Sequence, residues 1–105
     1  MKKTDLKIAR TFKRLVQEKV AVYRVLVFGS RARGDADDES DLDIFVEVEE
    51  LTPEIRSYIS ECTWQAGFER NVVVTAVVFT RHKLENTVEG HTPFVRNVLK
   101  EGIAV

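Results

Sequence analysis

Residues 25–46 read VLVFGSRARGDADDESDLDIFV. An apolar run ends at Gly29-Ser30, turns basic through Arg31 and Arg33, crosses a very acidic loop, and becomes apolar again in DLDIFV. Two β-branched and aromatic runs bounded by turn residues predict buried strands over residues 22–28 and 41–48. Side chains alternate across a strand, so Asp41 and Asp43, two positions apart, are expected to project from one face. Two carboxylates that close repel unless a cation lies between them. Hard oxygen ligands suit Mg²⁺, which is commonly held by one or two carboxylates together with substrate phosphate. The competing reading is a solvent-facing Asp-x-Asp at a strand start. Gly29 allows close approach of a ligand to the backbone, and the Ser30 hydroxyl can donate to a phosphate oxygen. Arg31 or Arg33 can add a bidentate contact. A tight turn with solvated arginines is the competing reading there.

Outward from this stretch, the chain reads as one domain, 1–105, of α/β (α+β) class: a small mixed β-sheet flanked by helices. It has 105 residues, 44% hydrophobic and 31% charged, enough for a single core. Residues 4–19 carry Leu6, Ala9, Phe12, Leu15 and Val16 at helical spacing, with Thr4 as the expected N-cap. Thr52-Pro53-Glu54 opens a second helix that runs to about Ala66 and stops at Gly67. NVVVTAVVF predicts a third strand over 71–79, central in the sheet because it is apolar nearly throughout. A short helix over 81–87 and a last one from Thr92-Pro93 to Lys100, closed by Gly102, complete the order.

The net charge of −1 hides a sharp split. Residues 1–34 hold ten of the sixteen Lys/Arg and two acids, whereas residues 35–54 hold ten acids and no base. Opposite fields side by side suit a phosphate-plus-metal site, and equally two solvated faces. The basic first helix lacks interleaved aromatics, so nucleic acid is not the favoured partner. Cys62 is the only cysteine, which excludes an intrachain disulfide and points to a reducing, cytoplasmic setting with a buried thiol rather than a nucleophile. No secretory leader is read at the N-terminus, and no stretch approaches the roughly 18 apolar residues of a membrane span. His82 and His91 lack ligand partners at metal spacing, and Trp64 and Phe68 read as core.

GSRARG…SDLDIFV, residues 29–46, closely resembles the signature of the nucleotidyltransferase superfamily that includes DNA polymerase beta. The short chain and the ending TPFVRNVLKEGIAV are similar to its minimal nucleotidyltransferases, the MNT proteins. The resemblance implies that Gly29 and Ser30 bind the phosphates of a nucleoside triphosphate, ATP as the expected donor. Asp41 and Asp43 would be the catalytic pair, holding Mg²⁺ or Mn²⁺, with Arg33 and Gly34 completing the motif. It implies transfer of a nucleoside monophosphate to an acceptor hydroxyl, on a small helical HEPN-type partner in an antitoxin-like role. One position departs from the pattern. Active members carry a third carboxylate on the next strand, and Thr75 stands there, with Glu69 or Glu47 as conceivable substitutes. The alternative is therefore a non-catalytic nucleotide- or partner-binding module that retains the fold, with a bare structural domain behind it.

Overall fold

The computed structural model describes residues 1–35, 37 and 39–105. Two positions of the acidic loop, Ala36 and Asp38, lie outside the described residues. The elements are α1 (Lys3–Gln17), β1 (Val22–Phe28), α2 (Ser30–Arg33), β2 (Leu42–Val48), α3 (Pro53–Phe68), β3 (Val74–Thr80), α4 (Arg81–Asn86), a 3₁₀ turn (Val88–His91), α5 (Pro93–Glu101) and β4 (Ile103–Ala104). The sheet is mixed, ordered β3-β2-β1-β4, with β1 antiparallel to both β2 and β4 and β2 parallel to β3. Helices cover both faces, as the sequence suggested.

Strand alternation builds two cores. Leu42, Ile44, Val46 and Val48 of β2 join Val25 and Val27 of β1 against the stripe Ile8, Ala9, Phe12 and Val16 of α1 and Ile59, Cys62 and Ala66 of α3. On the opposite face Phe45 and Leu26 pack with Leu84 of α4 and Val95 and Val98 of α5. Helix starts follow side-chain chemistry. Thr52, Thr80 and Thr92 accept from the amides of Ile55, Lys83 and Val95, and Pro53 and Pro93 supply fixed first-turn φ angles. α1 differs from expectation, because Lys2 occupies its N-cap and Thr4 lies inside the first turn.

β3 is an edge strand, not a central one, and begins at Val74. Its apolar character has another cause: α3 and α4 lie over its two faces, leaving most of its residues half-buried. Asn71, at φ 53, turns the chain before the strand begins. Gly67 does not end α3, which continues to Phe68. A Cβ at Gly67 would sit 2.0 Å from the Val72 carbonyl oxygen, so this glycine lets the lead-in to β3 press against the helix. Trp64 and Phe68 stack on each other at 4.6 Å but are 66% and 61% exposed, which places them outside the core. Their helical spacing is real, yet it sets them on the wall of an open recess shared with Val72, Val73 and Val74 at the start of β3. β4 was not anticipated: after Gly102 the chain returns along β1, pairing Ile103 with Val27 and Ala104 with Leu26.

Candidate functional site

β1 ends at Phe28, which pairs with Asp43 across the antiparallel ladder. Gly29 follows at φ 79 and ψ −162, a backbone conformation essentially restricted to glycine, and turns the chain into the single helical turn α2. A Cβ at Gly29 would stand 2.6 Å from Asp43 Oδ2. The turn therefore lies directly against the carboxylate. From the other side, β3 sets Thr75 in register with Asp43, and the Thr75 hydroxyl donates to Asp43 Oδ1 at 2.6 Å. Asp43 is thus held between a neutral hydroxyl and a bare glycine Cα, with no basic partner among the described residues. Asp41 is exposed and stands one residue ahead of β2. Its flanking peptides are both bonded: the Ser40 carbonyl accepts from Arg31 Nε at 2.7 Å, and the Leu42 amide donates to the Val73 carbonyl at 2.9 Å.

The structure redistributes the arginines. Arg31 is buried and its Nη1 donates to Asp5 Oδ1 at 2.8 Å, so it is built into the fold and does not reach for a ligand. Arg33 is exposed, 3.3 Å from Asp35, on the rim of a recess of about 180 Å³ lined also by Phe28, Gly29, Phe94, Asn97 and Glu101. Neither proposed substitute for a third carboxylate stands by Asp43. Glu47 shares its face of β2 but lies four residues on, about 13 Å away at the usual strand rise. It is buried and bridged by Arg24 at 2.6 Å and Arg81 at 2.7 Å. Glu69 follows the end of α3, on the helical layer beneath the other face. Among the described residues no group of three or more His, Cys, Asp or Glu could hold a metal ion. Asp43, with no basic partner among the described residues and beside a turn that leaves space in place of a side chain, and Asp41 just ahead of the strand have the hard-oxygen chemistry that fits a single divalent cation shared with a phosphate ligand. Cys62 is buried, and that burial pushes its thiol above the usual range, which suits a packing role. His82 and His91 are exposed.

Residues 7–105 match the family model described as the nucleotidyltransferase domain. The chain belongs to the nucleotidyltransferase domain family. Two curated relatives from Methanocaldococcus jannaschii are similar to this nucleotidyltransferase domain. One, named "Putative protein adenylyltransferase MJ1379", is 28% identical over 97 residues, covering 91% of this chain and 88% of its own length. The other, "Putative protein adenylyltransferase MJ0141", is 29% identical over 83 residues, covering 78% and 77%. A solved structure described as a toxin-antitoxin with AMP-PNP shares the fold at a TM-score of 0.64 and 18% identity, covering 91% of this chain and 70% of that one. Sequence reading missed the burial of Arg31 and its pairing with Asp5. The available signal was Asp5 itself, a charged residue on the same helical stripe as Ile8, Ala9, Phe12 and Val16.

Proposed function

We propose that the protein is an adenylyltransferase that moves AMP from ATP to a hydroxyl on a protein partner. The observation that carries this reading is the packing of the Gly29-Ser30 turn directly on the Asp43 carboxylate, with Asp41 one residue ahead of the strand. Gly29 admits the triphosphate close to the backbone, Ser30 donates to a phosphate oxygen, and Arg33 reaches the phosphates from the rim. Asp41 and Asp43 hold Mg²⁺ or Mn²⁺. When bound, the cation neutralises charge on the triphosphate and orients it for in-line attack. The acceptor oxygen bonds to the α-phosphorus, the bond to the bridging oxygen breaks, pyrophosphate leaves, and the hydroxyl proton passes to solvent or to a base of the partner. The names of the M. jannaschii relatives support adenylyl transfer to protein. The recess beside Gly29, about 180 Å³, is smaller than the roughly 300 Å³ at which ligand pockets usually begin. A partner that closes the site, of the small helical HEPN type and in the cytoplasm, fits that deficit.

A non-catalytic nucleotide-binding module is the second reading, and Thr75 beside Asp43 favours it, because that position lacks a carboxylate. Incubation with α-labelled ATP, Mn²⁺ and the product of the neighbouring gene separates the two. Label on the partner, lost in Asp43→Asn, supports the transferase. ATP binding without transfer to any acceptor moves the assignment to the module.

A further inference from the structure

Arg31 stands in the motif beside the phosphate turn, yet its guanidinium faces the protein. Its relative exposure is 6%, and that of its partner Asp5 is 2%. Nη1 donates to Asp5 in the first turn of α1, and Nε donates to the carbonyl of Ser40. One side chain thus joins α1, the turn after Gly29-Ser30 and the segment leading into β2. Ser40 is also braced from within its loop, its hydroxyl bonding Asp37 Oδ1 at 3.1 Å.

We infer that Arg31 is a positioning residue that sets the direction of Asp41, and so the spacing between the metal-holding carboxylates and the phosphate turn. The inference deepens the proposed function and rests on it. The Ser40 carbonyl belongs to the peptide plane before Asp41, and the Leu42 amide belongs to the plane after it. With the first fixed by Arg31 and the second by Val73, φ and ψ of Asp41 are both constrained, and with them its Cα–Cβ vector. Asp41 is otherwise exposed and ahead of the ladder, so a local restraint is what distinguishes it from a loop carboxylate. Stability alone is a weak reason for such a pair, because well-packed apolar residues often replace a buried ion pair without loss. The planar fork of arginine can serve Asp5 and Ser40 together through separate nitrogens. Lysine has one nitrogen and keeps the charge opposite Asp5 without spanning both partners.

The test compares the full chain with Arg31→Lys and with the double variant Asp5→Leu/Arg31→Met, which leaves no orphaned charge. Amide hydrogen exchange of Leu42 is read against that of Phe45 and Val46 in the middle of β2, and Mn²⁺ is titrated at saturating ATP. Both variants are expected to speed exchange at Leu42 about tenfold or more, with the mid-strand amides unchanged. The Mn²⁺ concentration for half-saturation should rise about 10- to 100-fold, the usual consequence of removing a residue that orients a metal ligand. ATP affinity at saturating Mn²⁺ should stay the same. Unchanged Leu42 exchange, or faster exchange with an unchanged Mn²⁺ requirement, overturns the positioning role while leaving the proposed function standing. A wild-type chain that binds no Mn²⁺ with ATP overturns the proposed function and this inference together.

Discussion

Gly29→Ala puts a methyl group 2.6 Å from Asp43 Oδ2 and forces alanine into φ 79, ψ −162. Two costs add. The backbone region is essentially glycine-only and costs on the order of 1–3 kcal/mol for another residue. The carboxylate must also move, and it cannot do so without straining the 2.6 Å bond it accepts from Thr75, worth about 1 kcal/mol in this half-exposed setting. The sum, about 2–4 kcal/mol, corresponds to a Tm fall of about 8–16 °C for a chain of this size. Gly34 provides the control. It has φ 83 but nothing within 4 Å of its ideal Cβ, so Gly34→Ala carries only the left-handed backbone cost of about 1–2 kcal/mol. Thermal melts of both variants, repeated on an Asp43→Ala background, separate the contact from the backbone. The Gly29 cost should fall by about 1 kcal/mol once the carboxylate is gone. Calorimetry should show Gly29→Ala losing Mn²⁺-ATP binding and Gly34→Ala keeping it. Equal Tm losses at the two glycines, with an additive cycle, would refute the packing of Gly29 on Asp43.

Asp43→Asn should retain the fold, because its volume and the Thr75 hydrogen bond can be preserved, and should abolish Mg²⁺- or Mn²⁺-dependent ATP binding by calorimetry. Thr75→Asp should raise label transfer to the partner in Mn²⁺, since a second carboxylate beside Asp43 supplies the missing ligand; a folded variant with no gain alongside a brisk wild type counts against it. Burial pushes the Tyr58 phenol up to about 12, with a contribution from Cys62, and lifts the Cys62 thiol above its usual 9.0. Both groups are held protonated in the folded state, so their stabilisation is complete below about pH 9 and is lost as pH rises through the folded values. Melting temperature should be flat from pH 7 to about 8.5 and decline at higher pH, less steeply in Tyr58→Phe, which also gives up the hydrogen bond from Tyr58 to the Leu15 carbonyl.

Turn and cap chemistry made much of this fold readable from residue types. Thr-Pro at 52–53 and 92–93 opens α3 and α5, and Gly29-Ser30 marks the change from β1 to α2. The partnering of Asp43 by Thr75 follows from the parallel register of β2 and β3; the family resemblance, with the flanking pattern, put Thr75 at that position, whereas the direction of the strand pairing was not legible. Solvent exposure was less legible. VVVTAVVF is as apolar as a central strand because helices cover both of its faces, and composition does not distinguish two covered faces from two strand neighbours. Trp64 and Phe68 satisfied helical spacing equally well on either side of α3. Arg31 and Arg33 stand as alternatives for a ligand contact in the sequence, because motif position alone does not reveal that Asp5, 26 residues earlier, meets the Arg31 guanidinium. Long-range pairing of charges is a tertiary property.

The contrast between Asp43 and Glu47 supports the role proposed for Asp43. Both point to the same face of β2, with Phe45 between them stacked on Phe79 at 5.5 Å. Glu47 is buried among two guanidiniums, and Arg81 also lies 3.4 Å over the Tyr23 ring, so its charge is met from inside the fold. Among the described residues Asp43 meets a hydroxyl dipole and a glycine but no cation, with exposed Asp41 two residues away in the chain. A hydroxyl fixes the geometry of a carboxylate without cancelling its charge, whereas an arginine does both. Under the proposed function, Asp41 and Asp43 together bring two negative charges to the metal site beside the Gly29-Ser30 turn, the number that one divalent cation neutralises.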